Sequence, residues 1–263
     1  MLITDKRIDG GKSFDWGRTS EDYAKYRDIY PAEFYEKIVS LGLCVKGQNV
    51  LDVGTGTGVL PRNMVRFGAN WTGTDISPEQ IAQAKRLSAE SGMHIAYYAT
   101  PTEELDFPAG SFDVITACQC FWYFDHDKVI PILHRLLRPE GRLVILYMAW
   151  LPFEDAIAEA SEKIVLRYSP DWTGAGETMH PIDIPEVALD YFTLEHHEEY
   201  RLTVPFTRES WHGRMKACRG VGASLSGEAL AAWEREHRQM LTERAPERFK
   251  VLHYAAMAVL KRK

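Results

Sequence analysis

A glycine-rich segment and the aspartate that follows it have the clearest chemical purpose in this sequence. Residues 50–58 read Val-Leu-Asp-Val-Gly-Thr-Gly-Thr-Gly, and Asp75 comes seventeen residues after the last glycine. Glycines let the backbone pass close to a ligand where a Cβ would collide, and the start of a helix leaves backbone N–H groups free to bind that ligand. Because a carboxylate accepts hydrogen bonds from both hydroxyls of a ribose, the pattern predicts a site for an adenosine-containing cofactor.

Strands and helices must alternate around this loop in order to hold it in place. Apolar runs predict strands at 48–53 and 112–118. We expect further strands at 70–75, 94–98, 142–148, 193–204 and 249–260. Periodicity and capping residues predict helices, in a cap over 13–42, after Gly58, from Ser77 to Gly92, at 127–137 with Pro131 in the first turn, at 154–168 and over most of 207–245. Residues 169–190 predict a loop-rich insertion. This alternation is typical of an α/β fold with right-handed crossovers and a parallel sheet.

Composition and charge narrow the class of protein. The chain has 263 residues and a net charge of −6, which fits one large α/β domain and argues against nucleic acid as a partner. Four cysteines, at 44, 118, 120 and 218, lack the spacing of a zinc or redox pair, so we expect reduced thiols and no metal. The N-terminus lacks a signal-peptide core, and the longest apolar run, Leu143–Phe153, is too short to cross a bilayer. We therefore expect a soluble, cytoplasmic protein without membrane contact.

Four patterns follow one another along the chain and together carry a family resemblance. They are Asp52-x-Gly54-x-Gly56-x-Gly58, then Asp75-Ile76-Ser77, then Thr102-Glu103-Glu104-Leu105 with Phe107-Pro108 and Ser111-Phe112-Asp113, and finally Leu136-Leu137-Arg138-Pro139-Glu140-Gly141-Arg142-Leu143. In this order and spacing they resemble the class I S-adenosylmethionine (SAM)-dependent methyltransferases, in the small-molecule, methyltransferase-11-like group. The resemblance covers roughly residues 14–148 well and the rest loosely.

The resemblance implies an architecture for the whole chain. We expect a Rossmann-like, doubly wound, seven-stranded sheet whose last strand is antiparallel, with an N-terminal helical cap and an insertion in the C-terminal half. The expected organisation is one methyltransferase domain over residues 1–263. Its parts are a helical cap at 13–42, a SAM-binding core at 43–148 and substrate-covering insertions at 149–192 and 205–248.

The resemblance also gives roles to residues at the nucleoside end of SAM. Asp75 is expected to bind the ribose hydroxyls, and Ile76 to pack on the adenine. Thr102 and Glu103 are expected to line the adenine edge through a backbone N–H and a side chain. The family commonly carries Asp where this chain has Pro101, so the adenine amino group must find another acceptor or bind water.

At the methionine end, the resemblance implies contacts from three parts of the chain. The loop Gly54-Thr55-Gly56 offers its backbone, and Asp52 either orients this loop or reaches the methionine amino group. Gln119, at the end of the fourth strand, is expected to face the methionine end or the acceptor, because strand ends line the crevice in such sheets. In the cap, Arg27 is expected to pair with the methionine carboxylate while Tyr23 covers the site. The product of transfer would be S-adenosylhomocysteine (SAH).

The acceptor side is less defined. Methyl transfer from SAM is an in-line displacement at carbon, so the protein mainly holds donor and acceptor in line. The catalytic group is unknown, and Gln119 and Tyr123 are the candidates. Trp122, Tyr123, Tyr147 and Trp150 are predicted to bind the substrate. Relatives often carry His where this chain has Trp122, so a general base is missing at that position.

Two alternatives stay open. A nicotinamide-dependent oxidoreductase shares the glycine loop and the acidic strand end, but its fingerprint places a third glycine at position 59, which is Val59 here. A protein that binds SAM or SAH without turnover, as a sensor or partner subunit, would carry the same motifs. The sequence has neither the Asn/Asp-Pro-Pro-aromatic tetrapeptide nor the Pro-Cys nucleophile of nucleic-acid methyltransferases, which favours a small-molecule acceptor. The oligomeric state, monomer or homodimer, is not indicated.

Overall fold

The structure is a computed structural model that describes residues 4–263. Its strands are β1 (Asn49–Val53), β2 (Asn70–Asp75), β3 (Ala96–Ala99), β4 (Phe112–Cys118), β5 (Leu137–Trp150), β6 (Phe192–Thr207) and β7 (Arg248–Arg262). They form one sheet in the order β3-β2-β1-β4-β5-β7-β6. The sheet is mixed, with its last strands antiparallel, which confirms the α/β, Rossmann-like fold class.

The helices occupy the connections that the periodicity predicts, except for the one at Glu186–Tyr191, which begins inside the 169–190 segment expected to be loop-rich. They are α1 (Ser20–Tyr26), α2 (Ala32–Ser40), α3 (Val59–Met64), α4 (Pro78–Glu90), α5 (His126–Leu136), α6 (Ala156–Tyr168), α7 (Glu186–Tyr191), α8 (Arg208–Lys216) and α9 (Gly227–Arg244). Ser77 caps α4 as predicted, because its hydroxyl accepts a hydrogen bond from the Gln80 N–H at 3.3 Å and Pro78 begins the helix. Within residues 4–263, every helix is too short or too polar to span a lipid bilayer.

The position of β1 determines where a ligand can bind. β1 pairs in parallel with β2 on one side, where Val50 faces Trp71, and with β4 on the other, where Val50 faces Val114. The chain therefore runs from β1 to β2 and β3 on one side of β1, and later returns to place β4 on the other side of β1. In open parallel sheets, this reversal of strand order creates a crevice at the carboxyl ends of the strands.

Two local expectations were wrong. Pro131 lies inside α5, five residues after its first residue His126, and not in the first turn; the missing N–H removes one helical bond, which the buried apolar face of α5 offsets. The strand expected at 142–148 begins earlier, at Leu137, so Pro139-Glu140-Gly141 lies within β5. Leu137 pairs with Phe112 and Arg142 with Val114, so the intervening residues bulge out of the ladder, with Glu140 at a φ of 67°.

Two compact units divide the chain, and each is described by itself. The first, the core unit, contains Tyr30–Met148, His180–Tyr200 and Ala255–Lys263. An apolar cluster of this unit joins β1 and β4 to α5, with Leu51, Ile115 and Leu133 fully buried. Because β1 and β4 are buried on both faces, they form a rigid base for the loops at their carboxyl ends.

The second, the helical unit, contains the chain up to Ile29, Ala149–Met179 and Arg201–Tyr254. A buried hydrogen-bond network fixes its interior. The Ser161 hydroxyl donates to the Ile157 carbonyl at 2.7 Å and accepts from the Trp211 indole at 2.9 Å. His237 Nε2 lies 3.1 Å from the same hydroxyl oxygen, and His237 Nδ1 lies 2.9 Å from His212 Nδ1.

The network sets the protonation of both histidines. Since the Ser161 hydroxyl hydrogen is already donated, His237 Nε2 must donate to it and His237 Nδ1 must accept from His212. Burial lowers the pKa of His212 to about 4 and that of His237 well below its usual value. Both rings are therefore neutral at pH 7. The charged side chains nearest to the pair belong to Glu209, Lys216, Glu234 and Arg238.

Candidate active site

The glycine loop stands at the carboxyl end of β1. Gly54, Gly56 and Gly58 have φ values of 61°, 57° and 74°, a left-handed conformation that favours glycine. A Cβ on Gly54 would lie 2.7 Å from both Cβ and Sγ of Cys120, and the Cys120 thiol donates to the Val53 carbonyl at 3.1 Å. Glycine is thus required at position 54 for two reasons, the backbone angle and the close approach of the β4 loop.

Asp75 lies at the carboxyl end of β2 and faces the glycine loop. Its Oδ2 accepts from the Gly56 N–H at 2.8 Å, and its Oδ1 accepts from the Ser77 N–H at 2.9 Å. Burial raises the pKa of Asp75, and these two donors oppose the rise. A carboxylate offers about four acceptor positions, so each oxygen keeps one for a further donor. The half-buried carboxylate therefore fits a pair of sugar hydroxyls.

Asp52, on β1, is hydrogen-bonded to the glycine loop. Its side chain is 1% exposed, and its two oxygens accept from the hydroxyls of Thr55 and Thr116, each at 2.6 Å. Burial raises its pKa to about 7, against the effect of these hydrogen bonds. The bond to Thr55 ties the second residue of the loop to β1, which agrees with the loop-orienting role expected of Asp52. Thr116 was missed from the sequence because it lies 64 residues away, on β4.

The segment predicted to line the adenine is a short 3-10 turn. Thr102–Glu104 follows Pro101, with Thr102 buried, and Glu103 accepts a hydrogen bond from the Asp125 N–H at 3.3 Å. Ile76, directly after Asp75, is half-buried. These residues belong to the same unit as the glycine loop, and their contact with adenine stays a prediction.

Gln119 follows β4 and adopts an uncommon backbone conformation. Its φ is 66°, a left-handed value that costs a non-glycine residue about 1 kcal/mol. Two hydrogen bonds offset this cost, because the Gln119 N–H donates to the Leu146 carbonyl at 2.9 Å and its side-chain amide donates to the Met148 carbonyl at 2.5 Å. The side-chain carbonyl and the second amide hydrogen of Gln119 can each form a further hydrogen bond.

An aromatic cluster stands beside this strand end, composed of Trp122, Tyr147 and His180. The Trp122 ring, 38% exposed, meets the Tyr147 ring edge to face at 4.8 Å, and the His180 ring lies 6.2 Å from that of Tyr147. Tyr123 is next to Trp122, with ring centroids 6.1 Å apart. Three of the four predicted acceptor residues are therefore grouped in the core unit. From the sequence, His180 is expected to be a surface or loop histidine, because its segment has no periodicity.

Three of the predicted site residues belong to the helical unit. There the Arg27 guanidinium donates to the Tyr23 hydroxyl at 2.8 Å and lies 4.5 Å from the centre of its ring. Trp150 is buried, and its indole N–H donates to Glu162 at 2.5 Å. The roles of these three residues toward SAM or the acceptor stay predictions.

Comparisons with known proteins agree with this geometry. Residues 51–145 match the family model described as "Methyltransferase domain". A ubiquinone biosynthesis O-methyltransferase of Xanthomonas axonopodis pv. citri (strain 306) is 34% identical over 137 residues, which are 51% of this chain and 57% of that protein. Its counterpart in Pseudomonas aeruginosa (strain UCBPP-PA14) is 31% identical over 161 residues, 60% of this chain and 68% of the relative.

The similarity to solved structures extends further along the chain. The YcgJ protein of Bacillus subtilis superposes with a TM-score of 0.54 at 18% identity, over 89% of this chain and all of that protein. At this identity the likeness supports the fold alone. The matched family and the adenine-side segment both oppose the nicotinamide alternative.

Proposed function

We propose, from the premise that the chain belongs to the class I SAM-dependent methyltransferases, that it transfers a methyl group from SAM to a small-molecule acceptor by in-line displacement. The cofactor of this family is SAM. The chain covers just over half, 57%, of the Xanthomonas relative, and that relative is named for O-methylation in ubiquinone biosynthesis. The acceptor is therefore proposed by class only.

The observation that carries the proposal is the pairing of Asp75 with the glycine loop. One carboxylate bridges the Gly56 and Ser77 N–H groups while keeping acceptor positions open toward the crevice. The Thr55–Asp52–Thr116 hydrogen bonds hold the same loop to two adjacent strands. A preorganised site of this kind lowers the entropic cost of binding a nucleoside.

When bound, SAM supplies an activated methyl group on a sulfonium, so the chain needs no nucleophile of its own. Its residues bind SAM and the acceptor, orient them for the transfer and exclude water from the site. We assign Asp75 to the ribose, the loop Gly54-Thr55-Gly56 to the methionine end, and Ile76, Thr102 and Glu103 to the adenine. Holding donor and acceptor in line can supply roughly 7–11 kcal/mol of barrier reduction.

We also propose a cytoplasmic protein, monomeric or homodimeric, with a metabolite as its partner and not a nucleic acid. No disulfide bond joins Cys44, Cys118, Cys120 or Cys218, as is typical of a reducing compartment. The net charge of −6 supports the exclusion of nucleic acid.

Calorimetry with SAM and SAH tests the proposal. Asp75→Ala removes the acceptor of two charge-assisted hydrogen bonds worth roughly 1.5–3 kcal/mol each, so we expect affinity to fall at least about a hundredfold. Asp106→Ala is the matched control, because the Asp106 side chain is fully exposed in the same unit. Equal affinities for wild type and Asp75→Ala would refute the assignment.

A screen with methyl-labelled SAM against a metabolite library then separates an enzyme from a binding protein. We expect label to move to at least one acceptor. Tight SAM binding without transfer to any compound would favour the sensor or partner-subunit alternative.

A further inference from the structure

A tyrosine ring lies across a glycine in the middle of β2. Glycine in a strand interior often marks the close approach of another group, and Gly73 is such a glycine. Its partner in the parallel ladder between β2 and β3 is Tyr97. A Cβ at position 73 would lie 2.8 Å from both Cδ1 and Cε1 of the Tyr97 ring. The ring therefore fills the space that a side chain on Gly73 would need.

The same ring reaches the far end of the glycine loop. A Cβ on Gly58 would overlap the Tyr97 hydroxyl oxygen and would lie 2.9 Å from Cζ of the ring. The three atoms nearest to such a Cβ all belong to Tyr97. Tyr97 is thus the side chain that packs most closely against the last glycine of the loop.

Tyr97 contacts a part of the loop that the other supports do not reach. Asp52, Asp75 and Cys120 contact the first three residues of the loop, 54–56. The end of the loop at Gly58 is joined to its beginning by a hydrogen bond from the Gly58 N–H to the Thr55 carbonyl, at 2.9 Å. A side chain that fixes Gly58 therefore limits the movement of the loop from its other end.

The position of Tyr97 is itself fixed by α4. The side chain is 4% exposed and packs with Ile81 and Ala84. Its hydroxyl oxygen lies 3.1 Å from that of Ser88, which is also buried. Burial raises the pKa of Tyr97 to about 12, so the hydroxyl is neutral at pH 7. Tyr97 thus links α4 and β3 to the glycine loop through a single, uncharged side chain.

We propose that Tyr97 is a positioning residue for the methyl donor, because its ring holds the glycine loop at Gly58 and β2 at Gly73. The inference rests on the proposed function. Tyr97 acts through the loop and not by touching SAM. With the ring in place, the loop is ordered before the cofactor arrives, which lowers the entropic cost of binding. Without the ring, part of the binding free energy is spent on ordering the loop.

Calorimetry with SAH, at a temperature where every variant is folded, tests this role. Ordering the backbone of a single residue costs about 1–2 kcal/mol, so we expect Tyr97→Leu to lower SAH affinity by about 5–30-fold. Phe112→Leu is the matched control. Phe112 is a buried aromatic residue of the same unit, but it lies at the amino end of β4, away from the loop. We expect Phe112→Leu to lower the melting temperature and to leave SAH affinity unchanged.

Hydrogen exchange in the absence of cofactor provides a second readout. We expect Tyr97→Leu to exchange faster than wild type over residues 54–58, and Phe112→Leu to match wild type there. Tyr97→Phe keeps the ring across Gly73, so its SAH affinity should be lowered less than that of Tyr97→Leu.

A double-mutant cycle applies even where Tyr97→Leu does not fold. Tyr97→Phe lacks the hydroxyl that a Cβ on Gly58 would overlap. Gly58→Ala should therefore lower SAH affinity less in the Tyr97→Phe background than in wild type. Equal losses in the two backgrounds would overturn the role of the contact at Gly58.

The remaining outcomes separate this inference from the proposed function. Equal SAH affinities for wild type and Tyr97→Leu would overturn the inference and leave the proposed function intact. Equal falls for Tyr97→Leu and Phe112→Leu would make Tyr97 one more core residue, and would also overturn the inference. A wild type that binds neither SAM nor SAH would overturn both.

Discussion

Replacing Asp52 with Asn tests whether a buried charge under the glycine loop weakens the fold. The carboxyl group is 1% exposed, and burial raises its pKa from 3.8 to about 7. Because the folded-state pKa lies above the unfolded one, the folded protein binds the proton more tightly, and stability is lost as pH rises from about 4 to 7. A shift of about three units corresponds to about 4 kcal/mol.

Asp52→Asn should therefore gain stability relative to wild type as pH rises. We expect the difference in free energy of unfolding, variant minus wild type, to be about 3 kcal/mol more favourable at pH 8 than at pH 5. The Asn side chain keeps an acceptor for Thr55 or Thr116, so the loop should retain its position. Urea unfolding followed by circular dichroism measures both proteins at both pH values. Asp106→Asn should show no such dependence.

A difference between Asp52→Asn and wild type that is the same at pH 5 and pH 8 would refute this reasoning. It would mean that the two threonine hydroxyls fully compensate the buried charge. Because the comparison is made at each pH, contributions from titrating groups that do not interact with Asp52 cancel.

Two further predictions concern the glycine loop and the helical unit. Gly54→Ala should lower the melting temperature and SAH affinity well beyond Gly42→Ala. Both glycines have positive φ, but a Cβ at position 54 would lie 2.7 Å from Cys120, whereas a Cβ at position 42 would face open space. Equal effects in thermal melts and calorimetry would contradict the clash. The folded-state pKa of His212, about 4, is below its unfolded value of 6.5, so stability should fall by up to about 3 kcal/mol as pH drops from 6.5 to 4. Urea unfolding of His212→Gln should show a smaller acid loss than wild type, and identical pH profiles would argue against a role for the His212–His237 pair.

The parts of the site that lie close together in sequence could be predicted. The residues from Val50 to Gly58 predicted the strand β1 and the glycine loop, and Asp75 predicted the carboxylate beside it. These predictions succeeded because the conformation of glycines and an acidic residue at a strand end are local properties of the sequence. Ser77 gave the start of α4 for the same reason, since its cap is made three residues away. The strands β1 and β4 followed from apolar runs, which are also a local property of the sequence.

The parts made by long-range contact could not be predicted. Cys120, after β4, lies against Gly54, after β1. The Thr116 hydroxyl on β4 donates a hydrogen bond to Asp52 on β1. His180 joins Tyr147 after a separation of 33 residues through a loop without periodicity. Local patterns carry no information on which loops meet, so these partners emerge only from the packed fold.

The bulge in β5 shows a different limit. Pro139-Glu140-Gly141 has the composition of a turn, and composition gives the backbone bend correctly. Whether such a bend ends a strand or interrupts one depends on the partner strand, and here Leu137 still pairs with Phe112. The sequence alone could not distinguish the two.

The strand order has a consequence for how such a protein can change. With β1 between β2 and β4, the residues proposed for the nucleoside, up to Glu103, come from one side of the sheet and early in the chain. Those proposed for the acceptor, from Gln119 onward, come from the other side and later. Mutations after Gln119 can therefore change the acceptor specificity without altering the earlier residues that are proposed to bind the methyl donor. One fold of this kind can thus evolve towards different acceptors by changes in its later loops.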